Sequence, residues 1–408
     1  MNAQSSPTTR RGRRPLFILG GDETGLAVAR NAARLGLRPV VIARSHDISV
    51  WSRLITCVLV DEPGGDDSLA ILRALAAPGG RPPLVATNDP WLRFIMAHRA
   101  ALDERFTVLH PGNEVLDVCL NKRRFAEWCF AVGLPTPALV DVPPGVHLSP
   151  SVAQSLSFPL FLRPQWSNQA PPSVPKASPV ADTEELLASI RVFEAGGTPW
   201  VATRSVLADA REQYSVAVAQ RGTECLSFVS QKLRPLPEQC AVGSYVALRP
   251  HAGAESLART ALRLMRFDFG IAEVEIIGTR TDELVVIEVN ARPWSQFALS
   301  YRSGHDFLEF LLDPTSPVRR VRRRDGLAWI AFGNDLFTCF SRSAGLVRHH
   351  RLGILHYLRS LIRVRVSSRF ALNDPYPAVR YLIPAGSIRR RHGRPSIDHR
   401  VVDSAHWS

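Results

Sequence analysis

Short apolar runs and helical stretches alternate through the N-terminal part of the chain. In PLFILGGDETGLAVARNAARLGLRPVVIAR, which begins at Pro15, apolar runs flank a segment in which Leu26, Ala29 and Ala33 recur at helical spacing. The later runs VLVDE, PPLVATND and TVLHP are separated by helical patterns near 67–77 and 90–102. Strands that alternate with helices predict a parallel sheet covered on both faces. We therefore predict an α/β domain over residues 15–112.

The glycine turn GGDETG after the first predicted strand raises the question of a dinucleotide site. The turn lacks the GxGxxG spacing, and no acidic residue stands cleanly at the end of the second strand. A glycine turn at a helix N-terminus can still bind an anion. The motif alone does not predict a dinucleotide cofactor.

The periodicity changes in the middle of the chain. A short helix in LNKRRFAEWCFAVGLPTP ends at a glycine and two prolines, and the apolar strand FPLFLRP follows it. DTEELLASIRVFEAGG has a capped start and a glycine stop, which predicts a helix. The runs WVATRSV, QYSVAVAQ and ECLSFVSQKL then alternate with a period of two, which predicts antiparallel strands, and a helix is predicted near 253–266.

Polar residues are unusually placed in AEVEIIGTRTDELVVIEVNARPW, which otherwise predicts a β-hairpin. Glu288, Asn290 and Arg292 occupy alternate positions of the second strand, so they share one face. A turn centred on 281–282 places Glu275 opposite Glu288.

Two carboxylates that face each other across a ladder repel. A divalent cation removes that repulsion, and oxygen ligands favour Mg²⁺ over a soft transition metal. The same register places Glu273 opposite Asn290. The alternative is an exposed sheet face on which the carboxylates form ion pairs with arginines.

Composition sets the broad class. The chain has 408 residues, of which 45% are hydrophobic, which is typical of a globular protein with two or three domains. No apolar run is long enough to predict a membrane span, and residues 1–14 form a polar, basic segment that we predict to be disordered. The six cysteines show no CxxC pair, which favours reduced thiols and a cytoplasmic location.

The net charge of +13 is concentrated at the C-terminal end, since 18 arginines, no lysine and 5 aspartates follow Pro317. Within RLGILHYLRSLIRVRV, Leu352, Leu355, Leu358 and Ile362 share one face of a predicted helix. We favour packing of this face on the rest of the protein. An anionic membrane surface and an acidic polymer are the alternatives, and nucleic acid is less favoured because no aromatic residues are interleaved with the arginines.

Lysine is rare, with 47 arginines against lysines at 122, 176 and 232 only. Lysine is a compact point charge that suits phosphate, whereas arginine presents a wide planar fork. Each of the three lysines is therefore a candidate functional residue.

The hairpin EVEI…VVIEVNARPW resembles the magnesium-binding strands of the ATP-grasp superfamily, and most closely its carboxylate–amine ligase branch, which includes D-aspartate ligases. NKRRF, GLPTP, PLFLRP, EQYSV, QKLRPLPE and NDPYP follow the order of further landmarks of that family. The resemblance implies an ATP-grasp fold of α/β and α+β type. It implies a Rossmann-like pre-ATP-grasp domain at 15–112, an ATP-grasp domain at 113–312 with a lid at about 137–198, and an Arg-rich C-terminal extension at 313–408.

The resemblance also assigns roles to individual residues. It implies that Glu275, Glu288 and Asn290 hold two Mg²⁺ ions, with Mn²⁺ as a substitute, and that Arg292 and Lys232 act on the transferred phosphoryl group or the carboxylate. The remaining implied contacts are to ATP. Lys122 and Arg163 would bind its phosphates, Lys176 would approach them from the lid, and Glu212 would bind the ribose. The lid sequence PQWSNQAPPSVPKASPV has no glycine, unlike the lids of most relatives.

The function implied is an ATP-dependent ligase that forms an amide from a carboxylate and an amine through an acyl phosphate. The substrates implied are a small molecule or an envelope precursor, with D-aspartate as an example of the amino partner. The alternatives are a nucleotide sensor without turnover and a binder of acidic polymers or of the inner face of the membrane. A ligase core that remains folded after deletion of 319–408 is expected to keep its affinity for Mg·ATP.

Overall fold

The computed structural model of the chain describes residues 14–76, 80–140, 153–166, 169–206, 210–236, 242–315, 326–342 and 345–382. Most of the predicted N-terminal tail lies outside these ranges, as do Ser167 and Asn168 of the lid sequence and the RRVRRR run at 319–324. Three β-sheets organise the described part of the chain.

The N-terminal sheet has five parallel strands in the order β3-β2-β1-β4-β5, as the alternation of patterns predicts. The strands are β1 (Pro15–Leu19), β2 (Arg38–Ala43), β3 (Thr56–Leu59), β4 (Pro83–Ala86) and β5 (Thr107–Val108). The helices between and after them are Glu23–Arg34, Asp66–Leu75, Asp89–Ala97, Arg99–Asp103, Asn113–Leu120 and Lys122–Ala131. One difference from the sequence patterns is that the helix expected near 90–102 is divided in two at His98.

The glycine turn after β1 closes tightly on β4. Gly20 has φ +111°, and a Cβ atom at this position would lie 2.5 Å from Thr87 Oγ1. The Asp22 carboxylate accepts hydrogen bonds from the backbone N–H groups of Thr24 and Gly25, both at 3.0 Å. The first turn of the helix therefore already binds an anion from its own chain, which argues against a dinucleotide phosphate there.

A small antiparallel sheet forms the second layer, with strand order β7-β6-β8. Its strands are β6 (Leu160–Pro164), β7 (Ser178–Val180) and β8 (Trp200–Arg204), and the helix Thr183–Ala195 packs against them. Asp182 caps that helix by accepting from the Glu185 N–H at 2.9 Å, as the DTEE sequence predicts.

The large sheet has seven strands in the order β13-β12-β9-β10-β11-β14-β15 and is antiparallel except for its last pair. Its strands are β9 (Ala210–Arg221), β10 (Glu224–Leu236), β11 (Val242–Leu248), β12 (Phe269–Thr279), β13 (Leu284–Asn290), β14 (Ala328–Ile330) and β15 (Val364–Ser367). The helix Ala252–Leu264 covers one face, where Ala254, Ala258 and Ala261 join a core with Val216 and Val274. The acidic hairpin strands β12 and β13 form one edge of this sheet.

The C-terminal part of the chain is built into the large sheet. Strands β14 and β15 extend its far edge, and the helices Phe332–Phe340 and Ile354–Ile362 lie beside them, with Ala298–Ser303, Phe307–Leu312 and Tyr376–Leu382 completing the described helices. Asp374 of the NDPYP sequence is fully buried and accepts hydrogen bonds from Arg30 Nε at 3.0 Å and Ser52 Oγ at 2.8 Å. Deletion of 319–408 would remove two strands of the large sheet and this contact, so the condition that the core remains folded is not expected to hold for that deletion.

The predicted packing of the C-terminal helix is wrong. Leu355, Leu358 and Ile362 are 65%, 51% and 70% exposed, and the helix packs instead through Tyr357, which is 4% exposed. Amphipathic spacing identifies an apolar face but does not determine whether the rest of the chain covers it.

No helix in the described ranges combines the length and apolar character needed to cross a membrane.

Candidate active site

The acidic hairpin has the predicted register where its polar residues lie. Glu275 pairs with Glu288 and Glu273 with Asn290. Nearer the turn the register shifts, so that Ile276 pairs with Val286 and an extra residue bulges from β13. The bulge lies next to the Glu275–Glu288 pair and leaves the two carboxylates on the same face.

Hydrogen bonds join three of these side chains. The Asn290 amide nitrogen lies 3.3 Å from both Glu273 Oε2 and Glu288 Oε1, so it donates towards two carboxylates. Ser215 on the neighbouring strand β9 donates a short hydrogen bond to Glu273. Glu273 is buried, whereas Glu275, Glu288 and Asn290 are partly accessible, so the face opens towards solvent at those three residues.

Cations from three separate elements meet this face. Lys232 on β10 is buried, and its Nζ lies 2.7 Å from Glu275 Oε2. Arg163 on β6 of the small sheet approaches Glu288 at 3.7 Å. Lys122, the first residue of its helix, is close enough to Glu288 and Arg163 to interact with both electrostatically. The small sheet, the helix and the large sheet therefore enclose one charged cleft.

The N-terminal domain contributes the opposite wall. Arg292 Nε donates to Asp89 Oδ1 at 2.5 Å, and Arg292 also lies 3.4 Å from Asn290 Oδ1. His110 fixes the segment between those two residues, because its Nδ1 lies 3.0 Å from the Ala291 carbonyl oxygen. The other ring nitrogen of His110 accepts from the Ala86 N–H at 2.7 Å, so Nδ1 carries the proton and donates.

The pKa shifts in the cleft follow from burial and charge pairing. Burial raises the pKa of Glu275 to about 7, assisted by Glu273 and Glu288 and opposed by Lys232. Burial also opposes ionisation of Glu288, but Lys122, Arg163 and Lys232 outweigh it and lower the pKa of Glu288. Burial disfavours the charged form of Lys232, but the carboxylates of Glu275 and Glu273 outweigh burial and raise the pKa of Lys232.

Strand alternation places Glu212 on the opposite face of the sheet. Glu212 accepts hydrogen bonds from Tyr214 and from Gln231, at 3.3 Å for the latter, and Tyr214 stacks at 4.6 Å on His251 at the start of the covering helix. Ser215 and Glu273 point to the other side. The structure therefore does not bring the predicted ribose contact to the charged cleft.

Gln213 occupies the cleft face of β9 instead. It pairs with Ile277 and stands two residues before Ser215, and its Oε1 atom is buried with no hydrogen-bond partner among the described residues. Lys176, the predicted lid contact, is exposed between Val174 and β7. Neither Lys176 nor Glu212 adds a charge to the cleft in the structure.

Seven of the nine predicted site residues are thus brought together, and the sequence patterns missed others. The sequence patterns do not predict the contact of Asp89 with Arg292, the buried acceptor role of Glu273 or the bridging role of His110. His110 could have been suspected, because a lone histidine follows the apolar TVL run at a strand end. Its partner Ala291 is 181 residues away, which no local pattern reveals.

The oxygen atoms of Glu275, Glu288 and Asn290 suit Mg²⁺ in chemistry. In the described residues, however, no group of three or more His, Cys, Asp or Glu side chains is already arranged around one metal position. Lys232 and Arg163 neutralise the carboxylates instead. The donor set therefore fits a hard cation, while the number of ions stays a prediction.

The sequence matches no protein-family model and no curated protein. Solved structures do match. N5-carboxyaminoimidazole synthetase from Staphylococcus aureus, complexed with ADP, superposes with a TM-score of 0.60 at 13% identity over 78% of this chain and 81% of that one. L-Amino acid ligase from Bacillus licheniformis gives a TM-score of 0.57 at 17% identity over 74% of each chain.

A third similar structure is the biotin carboxylase domain of 2-oxoglutarate carboxylase from Hydrogenobacter thermophilus with MgADP and bicarbonate. It gives a TM-score of 0.58 at 14% identity over 76% of this chain and 73% of that one. Each of these likenesses covers 74% to 78% of this chain. The chain has the ATP-grasp fold, as the resemblance of its acidic hairpin implied.

Proposed function

We propose that this chain is an ATP-dependent ligase that joins a carboxylate to an amine through an acyl phosphate. The observation that carries the proposal is the meeting of Lys122, Arg163, Lys232 and Arg292 over the oxygen-rich face of the hairpin. Four cations, from a helix, two strands and the segment after β13, suit a polyphosphate, because they can bind its charge and stabilise transfer of its terminal phosphoryl group.

The first step would be attack of a substrate carboxylate oxygen on the γ-phosphorus of ATP. The new P–O bond forms as the bond to the β-phosphate oxygen breaks, which gives an acyl phosphate and ADP. An amine then attacks the acyl carbon, inorganic phosphate leaves, and the amine proton is lost to give the amide. In this scheme Arg292 and Lys232 bind the oxygens of the transferred phosphoryl group, and Lys122 and Arg163 bind the phosphates that remain with the nucleotide.

Glu275, Glu288 and Asn290 would hold Mg²⁺, which supplies charge neutralisation of the phosphate oxygens when it is bound. Asp89 orients the Arg292 guanidinium from the N-terminal domain. His110 holds the backbone between Asn290 and Arg292 in place. The small sheet, which carries Arg163, and the segment before β7, which carries Lys176, would exclude water, which otherwise hydrolyses an acyl phosphate.

Two of the similar structures support the reaction class. One is named as an L-amino acid ligase, and the other is a synthetase solved with ADP. A D-aspartate-like amino substrate is a finer proposal that rests on the E-x-N-x-R hairpin alone. The predicted domain boundaries, the role of Lys176 and the count of two ions are likewise part of the proposal.

The experiment is to measure ADP release and hydroxamate formation with Mg²⁺, ATP, hydroxylamine and pooled carboxylic acids. Hydroxylamine traps acyl phosphates, so the amine need not be known. Glu288→Gln removes a cleft carboxylate, and the matched control Glu283→Gln changes an exposed acid in the turn of the same hairpin.

Hydroxamate from the wild type and from Glu283→Gln, but not from Glu288→Gln, is the expected result. A wild type that neither forms hydroxamate nor binds Mg·ATP would contradict the proposal. Binding of Mg·ATP without ADP release in any pool would favour the alternative, a nucleotide sensor, for which the glycine-free lid is the supporting feature.

A further inference from the structure

The two C-terminal helices beside the large sheet each leave an apolar face uncovered. On the helix Phe332–Phe340, the side chains of Phe332, Leu336, Phe337 and Phe340 are 52%, 40%, 58% and 39% exposed. On the helix Ile354–Ile362, those of Ile354, Leu355, Leu358 and Ile362 are 49% to 70% exposed. Large aromatic and aliphatic side chains at this density are uncommon on a surface that meets only water. We call this surface the C-terminal apolar face.

Both helices are fixed with these side chains outward. Arg234 on β10 donates to both oxygens of buried Asp335 on the first helix, at 2.6 and 3.0 Å, and to Ser360 Oγ on the second at 2.9 Å. The rings of Phe340 and Tyr357 pack edge to face at 5.2 Å and join the two helices. Because one buried guanidinium holds the inner side of both helices, their outer sides form one surface.

Positive charge surrounds the C-terminal apolar face. Arg342, Arg348, Arg351, Arg359 and Arg363 are all exposed on or between the two helices. The only acidic residues in the described part of the chain after residue 325 are Asp335 and Asp374, and both are fully buried. Asp335 is paired with Arg234 and Asp374 with Arg30, so the described residues after 325 present no carboxylate at the surface.

We propose that the C-terminal apolar face docks on an anionic lipid surface. Amphipathic helices that combine large apolar side chains with an arginine rim enter the boundary between headgroups and acyl chains, where the arginines contact lipid phosphates. The charge argues against an occupant from the same chain, since the segments 316–325 and 383–408 are themselves rich in arginine. A second copy would bring the same positive charge against it.

Strand β10 links the C-terminal apolar face to the cleft. Arg234 lies two residues from Lys232 on β10, so the strand that carries a cleft cation also anchors the docking helices. The side chain of Lys232 faces the hairpin, whereas Arg234 contacts the helices.

The test uses the full chain and sedimentation with vesicles of phosphatidylcholine, either pure or with about one third phosphatidylglycerol. Leu355→Gln/Leu358→Gln removes apolar surface, and Arg359→Gln/Arg363→Gln removes charge. The matched controls are Phe130→Gln, an 87% exposed apolar residue on another helix, and Arg191→Gln, an exposed arginine on the helix Thr183–Ala195. All of these positions are exposed, and circular dichroism checks that each variant is folded.

We expect at least about tenfold tighter binding to the anionic vesicles than to the neutral ones, weakened by salt, with a loss of about tenfold in each double variant. The controls should bind as the wild type does. Equal binding to both vesicle types, or an equal loss in the controls, would overturn the proposal. A loss confined to the arginine variant would also overturn it, because binding would then not involve the apolar face. A wild-type dimer in solution that dissociates in the leucine variant would also overturn the proposal, because the C-terminal apolar face would then bind a second copy of the chain.

Discussion

Lys232 reaches across an intervening strand to contact Glu275. The lysine lies on β10 and the glutamate on β12, with β9 between them, yet Nζ and Oε2 are 2.7 Å apart. The small side chain at Ser215 on β9 leaves room for this approach on the cleft face. A buried lysine thus neutralises the acidic hairpin from two strands away.

Lys232→Met should therefore impair the proposed ligase strongly, because the cleft loses a cation from its phosphate-binding set. We expect hydroxamate formation to fall by about a hundredfold or more. Lys176→Met is the matched comparison, since Lys176 is exposed, and its effect should stay below about tenfold. Comparable losses in the two variants would show that the burial of Lys232 does not identify the functional lysine.

Gln213 and Glu212 lie on opposite faces of β9, so we expect their substitution to have different effects on the affinity for Mg·ATP. Gln213→Ala should weaken Mg·ATP binding by about tenfold if its buried Oε1 accepts from the nucleotide. Glu212→Gln should leave the affinity nearly unchanged, because Glu212 points to the helix-covered face. Isothermal titration with Mg·ATP measures both, and a larger effect at Glu212 would restore the ribose contact that the resemblance implied.

His110 should make the protein sensitive to acid. Burial lowers the pKa of His110 to about 3, so the folded state keeps the ring neutral while the unfolded chain binds a proton below pH 6.5. The stabilisation from the neutral ring is complete above pH 6.5 and is lost as the pH falls towards 3, at up to about 1.4 kcal/mol per pH unit.

His110→Gln removes this titration. The variant should be less stable at pH 7, where it loses one of the two ring hydrogen bonds. The difference in free energy of unfolding between the variant and the wild type should become smaller between pH 6.5 and 4. Urea unfolding followed by fluorescence at several pH values measures the difference. A difference in free energy of unfolding that stays constant with pH would indicate that the folded protein does not keep the His110 ring neutral.

Asp335→Asn should destabilise the protein by about 3–5 kcal/mol, because it leaves the buried Arg234 guanidinium without its counter-charge. Arg234 also lies over the ring of Tyr245, with 3.8 Å from its central carbon to the ring centroid. The control Glu224→Gln breaks an exposed pair with Arg221, and its cost should be below about 1 kcal/mol. Thermal unfolding measures the Tm of Asp335→Asn and of Glu224→Gln, and equal decreases in Tm would contradict the structural role of Arg234.

The hairpin shows what a sequence can predict. An even-length turn and strand alternation predict the pairing of Glu275 with Glu288, and that pair is observed. The turn itself is odd, with Gly278 paired to Leu284, and the bulge at Ile287 restores the predicted pair. The same alternation separates Glu212 from Ser215, whereas the landmark EQYSV implies a ribose contact for Glu212, and the structure agrees with the alternation. The role of Lys176 rests on the resemblance alone and stays a prediction.

Non-local contacts account for most of what the sequence did not reveal. Strands β14 and β15 have three and four residues, too few for a periodic signal, and they form because β11 offers a free edge. The exposed face of the helix Ile354–Ile362 was predicted to be buried, because an apolar stripe usually packs on its own protein. Asp89 and Arg292 are 203 positions apart, so their contact depends on how two sheets meet.

The contact of Asp374 with Arg30 has a consequence for how the protein is made. The two residues are 344 positions apart, and the first helix is synthesised long before its partner leaves the ribosome. If the N-terminal sheet forms during synthesis, it does so before Asp374 can pair with Arg30, and the far edge of the large sheet stays open until β14 and β15 emerge. A chain cut short by a late stop codon would keep every residue of the cleft and yet expose an unfinished sheet edge, a substrate for aggregation and proteolysis.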